Sequence, residues 1–222
     1  MDDLWPVAGT MGAIMPTSLI ETRGIPGNHS ETFNLRLVLW TAAVLGLLFQ
    51  VGHFFEHAFQ WVVWLLGDMS EICGRDTPWV SGWVRNLIEE LGLVLAPTAD
   101  APRRWMLGLE VLHLIGNGIF LATLGLLYYL TGNKWVRWGL YIETFHLYEH
   151  IMLTSTAFFI GKPIGLSTLF GGVGLGSKEF AVGVRVTWHF LMNLLPMPFA
   201  MVGLMEYWDE HKPARTPIPA WA

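Results

Sequence analysis

Four long apolar runs leave few folds open to this chain. They extend from Leu37 to Gly67, Trp105 to Thr131, Trp135 to Gly161 and about Ala181 to Trp208. Each exceeds the roughly 20 residues that a helix, rising about 1.5 Å per residue, needs to cross about 30 Å of hydrocarbon. In lipid every backbone N–H and C=O has to be paired internally, which leaves helices and closed barrels. The runs do not alternate polar and apolar residues, so helices are expected. Only 14% of the residues are charged, well below the roughly 25% of soluble domains. The predicted fold class is an all-α integral membrane protein, a four-transmembrane-helix bundle.

The runs divide the chain. Residues 1–35 contain Pro6, Pro16 and Pro26 and no cationic segment ahead of an apolar core. They read as an irregular extramembrane arm with no cleavable signal peptide. Residues 36–131 form a first helical hairpin, with spans at about 37–67 and 105–131 and a loop at 68–104. Residues 132–208 form a second, with spans at about 135–161 and 181–208, and residues 209–222 are a tail. Within the first loop, Trp83, Leu87, Leu91 and Val94 recur at helical spacing around Arg85, Glu89 and Glu90. The stretch Trp79–Leu95 is therefore predicted to be an amphipathic interfacial helix or a lid, ended by Pro97 and Pro102. Gly-Gly-Val-Gly-Leu-Gly at 171–176 has no preceding strand and no basic residue at phosphate-binding spacing, so it reads as a connection.

An even number of spans puts both termini on one side. Basic residues are nearly balanced between the two faces, so the charge bias of the loops does not decide orientation; a cytoplasmic side is the expectation. The net charge of −5 with scattered basic residues gives no reason to expect nucleic acid. The expected partners are the lipid bilayer and either other membrane subunits or further copies in a homo-oligomer. A single cysteine, Cys73, excludes an intramolecular disulfide and any multi-cysteine metal site.

Two polar pentapeptides interrupt the runs. His-Phe-Phe-Glu-His occupies 53–57 and His-Leu-Tyr-Glu-His occupies 146–150. Each is followed, one span later, by His-x-x-x-Asn: His113 to Asn117, then His189 to Asn193. The order HxxEH, HxxxN, HxxEH, HxxxN is that of a tandem duplication of a helical hairpin, with parallel repeats about an axis along the membrane normal. Residues i, i+3 and i+4 share a helix face. Counted from one end of the spans, all these residues lie roughly 12 to 22 Å along their helices. They make one polar layer.

Ionisable groups in a span cost about 2.5 to 3.5 kcal/mol each on insertion scales, so they must face the bundle interior and find partners. A lone histidine there reads as a hydrogen-bonded packing residue. Six imidazoles in matched pairs at one depth read as metal ligands, because imidazole is the commonest protein ligand for metals. The predicted ligand set is His53, Glu56, His57, His113, His146, Glu149, His150 and His189. Glu56 and Glu149 are also the candidate catalytic groups, as bridges or proton carriers. Glu110 and Glu143 stand three residues before His113 and His146, the ExxH spacing of di-iron carboxylate bundles. Together with Asn117 and Asn193 they are expected to support the ligands. The repeat-equivalent positions hold Val186 and Gln50, so this outer carboxylate pair is asymmetric.

Nitrogen and oxygen donors without thiolate suit iron, copper, zinc or manganese, and the donor count suits two ions. The expected function is a membrane-embedded metal-binding protein with a dinuclear site, an oxidoreductase or oxygenase acting on an apolar substrate reached along walls that include Met192 and Met197. Two alternatives stand beside it: a haem b electron-transfer subunit with axial histidines from facing helices, and a non-catalytic subunit of a larger membrane complex. His29 and His211 lie outside the spans and read as surface residues.

Overall fold

The computed structural model of the chain describes residues 29–67, 79–170 and 178–210. Among these there is no strand. The helices are α1 (His29–Leu65), α2 (Gly82–Leu95), α3 (Ala101–Thr131), α4 (Lys134–Ile160), α5 (Leu166–Phe170), α6 (Lys178–Leu194) and α7 (Pro196–Glu210). The chain divides after Arg36, and the packing described below lies within Leu37–Ala222. The glycine run at 171–176, Cys73, His211 and residues 1–28 fall outside the described residues. Because α1 begins at His29, the end of the expected irregular arm is helical.

Three stretches are long and apolar enough to cross a membrane: Leu35–Leu65, Ala101–Thr131 and Phe180–Glu210, with mean hydropathies of 1.8, 1.7 and 1.3. They mark the chain as a membrane protein. Helix α4 is long enough, at 27 residues, but Glu143, His146, Glu149 and His150 lie in its middle and lower its hydropathy. The same helix is deeply packed, with all four of those residues buried.

The last expected span is two helices. Pro196 has no N–H to give, and its ring would collide with the carbonyl four residues back, so α6 stops at Leu194 and α7 restarts on the proline. Leu195 N still donates to Leu191 O at 2.9 Å, which keeps the break local.

Between α3 and α4 the turn is built from two residues. Gly132 takes a left-handed φ of 64°, and the Asn133 side chain accepts from Trp135 N at 2.7 Å to cap α4. Glu206 of α7 fastens onto this turn, accepting from Asn133 Nδ2 at 2.7 Å and Trp135 Nε1 at 3.0 Å. The apolar core lies on the same side: Ala43, Leu47, Phe120, Leu124, Leu127, Val136 and Ala200 come from four helices. Large apolar side chains such as Leu48, Phe55, Phe59, Phe159 and Trp208 are exposed, as a surface facing lipid requires.

Helix α2 forms where periodicity predicts it, yet it packs on another face. Ile88 and Gly92 are its buried residues, whereas Trp83, Leu87 and Val94 point outward. The reason is close backbone approach. A Cβ on Gly108 of α3 would lie 2.0 Å from Ile88 O, and one on Gly92 would lie 2.2 Å from Arg104 O. Small residues let the α2 and α3 backbones touch, and the apolar stripe is left for the surroundings. Replacing Gly108 by Ala should destabilise the protein by about 1–3 kcal/mol through overpacking. Gly118, whose Cβ would meet nothing within 4 Å, should accept Ala with about 1 kcal/mol of gain from helix propensity. Melting of the two variants in one detergent checks both signs.

Candidate metal centre

The six span histidines gather into two groups of three. His53 and His57 of α1 meet His113 of α3; His146 and His150 of α4 meet His189 of α6. Within each group the ligand atoms lie within 4.8 Å of one another. Helical geometry supplies two of every three: residues four apart stand one turn above each other on the same face. His57 and His53 thus bring their Nε2 atoms to 3.3 Å, and His150 and His146 to 3.1 Å. Two nitrogens bound tetrahedrally at about 2.0–2.1 Å from one zinc-sized ion are about 3.3 Å apart. The pairs already have the spacing of ligands.

Tautomers are set from outside the groups. His113 Nδ1 donates to Leu109 O at 2.9 Å, and His189 Nδ1 donates to Arg185 O at 2.8 Å. His57 Nδ1 donates to Gln60 Oε1 at 3.1 Å. A carbonyl oxygen only accepts, so Nδ1 carries the proton and Nε2 the lone pair. This is the arrangement by which metal-bound imidazoles are held and made more basic. The two groups abut: the His113 and His150 rings stack with centroids 5.4 Å apart, and His57 and His189 at 5.8 Å.

The glutamates of the two pentapeptides turn away. Glu56 accepts from Ser81 N at 2.7 Å, at the start of α2, and Glu149 accepts from Ser167 N at 2.9 Å, in α5. The second Glu149 oxygen accepts from Trp188 Nε1. Neither carboxylate belongs to the converging groups. Both fasten a loop helix to the layer that holds the histidines.

The asparagines are likewise occupied. Asn117 Nδ2 donates to His113 O at 2.8 Å, and Asn193 Nδ2 to His189 O at 2.9 Å. Asn193 Oδ1 accepts from Gln50 Nε2 at 2.8 Å. Glu110 is ion-paired with Arg185 across α3 and α6, both largely buried. Glu143 is fully buried with no hydrogen-bond partner for either oxygen, and its Oε2 stands 3.5 Å from His146 Nδ1. Met192 is buried, and Met197 packs against the apolar core.

Sequence reasoning passed over Gln60, Trp188 and Arg185, and gave Gln50 no part beyond its place in the repeat. The first was findable, three residues after His57 on the same face. Arg185 lies inside α6 one turn before His189 and pairs with Glu110.

If Glu56 and Glu149 anchor the loop helices, Ala at either position removes a charge-assisted bond worth about 1.5–3 kcal/mol. Hydrogen exchange should then quicken at the Ser81 amide in Glu56→Ala and at the Ser167 amide in Glu149→Ala. Gln, which keeps an accepting oxygen, should recover most of the protection.

A family model described as a family of unknown function, DUF6008, matches residues 29–217, a range that contains the six span histidines. No curated protein matches the chain, and no solved structure matches it.

Proposed function

The chain belongs to this family, DUF6008, whose description leaves the activity to be read from the residues, and from them we propose a membrane-embedded metal-binding protein with a dinuclear centre. Each ion is held by one group of three imidazoles. The observation that carries the reading is the convergence of His53, His57 and His113, and of His146, His150 and His189, each set within 4.8 Å. Outward hydrogen bonds from His57, His113 and His189 leave their Nε2 lone pairs for an ion.

Helix α4 serves as the fourth span in this proposal. Its low hydropathy is the consequence of carrying two ligands and two carboxylates at the centre of the bundle. The matched contacts around Glu56 and Glu149, His113 and His189, and Asn117 and Asn193 support descent from a duplicated hairpin. Both termini then share a side, taken as cytoplasmic.

Imidazole without carboxylate in the inner groups favours zinc, copper or iron over manganese. Three protein ligands leave a coordination position open, as in catalytic rather than structural zinc sites. With iron or copper the centre would be redox-active, and the protein an oxidoreductase on an apolar substrate arriving from the lipid. Glu143, beside His146 Nδ1, orients that ligand; Glu56 and Glu149 hold the covering helices.

Elemental analysis of purified protein should find about two equivalents of one transition metal. His53→Ala with His57→Ala should leave about one equivalent, and His146→Ala with His150→Ala likewise. Less than about a tenth of an equivalent of any transition metal would overturn the proposal. A Soret band accompanying iron would replace it with the haem reading.

A further inference from the structure

The two histidine groups are matched in sequence but not in surroundings. All three residues of the second group, His146, His150 and His189, are buried, whereas His53 and His113 of the first are half-buried. Positions without side chains lie beside His53. A Cβ on Gly52 would meet nothing within 4 Å, and one on Gly116 of α3 would have Phe49 and His53 as its nearest neighbours, at 3.8 and 3.9 Å. Phe49, whose ring runs parallel to that of His53, is itself exposed. The first group is therefore open at the outer surface, and the second is closed.

The charges differ as well. Glu56 and Glu149 are a matched pair, each accepting from a backbone amide. Glu110 and Arg185 form an ion pair that joins α3 to α6, one turn before His113 and His189, and adds no net charge. The unmatched group is Glu143. It is fully buried, neither oxygen has a hydrogen-bond partner, and Oε2 stands 3.5 Å from His146 Nδ1. That nitrogen has no hydrogen-bond partner either, while His146 Nε2 faces His150 Nε2. The repeat-equivalent residue of the first hairpin is Gln50, which is neutral and donates to Asn193. In the first group, His57 Nδ1 meets the neutral amide oxygen of Gln60. A dipositive ion on three neutral imidazoles is an uncompensated charge in a membrane interior, where charge is costly. A carboxylate against the outer N–H of a ligand offsets part of that charge and makes the imidazole more basic.

We propose that the two metal positions have different duties: the second group holds a retained ion with Glu143 as its countercharge, and the first holds an exchangeable ion that a lipid-soluble ligand reaches beside His53. The inference rests on the dinuclear reading above. Burial and a compensating carboxylate both slow the loss of the second ion, and the first has neither. Glu143 is a positioning residue, acting on its ion through His146.

Full-length protein in detergent, stripped and reloaded to saturation with cobalt(II), should release its metal to excess EDTA in two phases. The fast phase should be missing from His53→Ala with His57→Ala, and the slow phase from His146→Ala with His150→Ala. Glu143→Gln should quicken the slow phase by about 10- to 100-fold, the usual loss of affinity when a ligand's outer partner is removed, and leave the fast phase as it was. N-octylimidazole, an apolar ligand for cobalt, should shift the visible spectrum of the double variant that keeps the first group and not that of the other. A single release phase, or a fast phase that survives loss of the first group, overturns the proposal without any change at Glu143. So does a Glu143→Gln effect that is absent or equal in both phases, or an equal N-octylimidazole shift in the two double variants; each of these leaves the metal centre standing. Failure of the wild-type protein to take up cobalt removes both.

Discussion

The cost of placing ionisable side chains among apolar helices governs the arrangement of this protein. Gln50, Glu110, Asn117, Glu143, His146, Glu149, His150 and Asn193 are all buried to within 2% exposure. None can be solvated by lipid, so the helices have to be ordered in a way that turns them toward one another. Leu124, Leu127, Val136 and Ala200 form a separate apolar cluster, and the exposed outer surface is left to large apolar residues. The polar layer thus determines which face of each helix points inward, and the apolar core fills the space that remains.

The same constraint links the histidines to the loop helices. Half-buried Glu56 and buried Glu149 take donors from the backbone amides of Ser81 and Ser167. Elements outside the long helices are thereby tied to the residues next to the imidazoles. On the metal reading, loading of the site and seating of α2 and α5 are coupled through these carboxylates, because each glutamate is one residue from a ligand. Breaking the Glu110–Arg185 pair from one side would leave a buried charge uncompensated, at a cost of about 3–5 kcal/mol.

Much of this is legible in the residues alone. Spacing places His53 with His57 and His146 with His150, and counting along the runs brings His113 and His189 to their level; the two groups contain those six and no others. The direction of the glutamates is not legible. At about 100° per residue, Glu56 sits on the flank of the His53–His57 face, and its flexible side chain reaches whichever donor the fold supplies. That donor lies in α2, whose docking depends on Gly92 and Gly108 meeting backbone. The break at Leu195 was signalled by Pro196 but masked by the apolar run around it. The partnership of Arg185 with Glu110 joins residues 75 apart, and no local pattern carries it.

The central claim, that each three-histidine group holds one ion, is tested most directly by X-ray absorption at the edge of the metal that copurifies with the protein. The account predicts a first shell of nitrogen and oxygen with about three imidazoles per ion, and no sulfur. Replacing His113 alone should lower the average imidazole number and leave the second group's signature intact. A shell dominated by carboxylate oxygen, or one that does not change in the His113 variant, would contradict it.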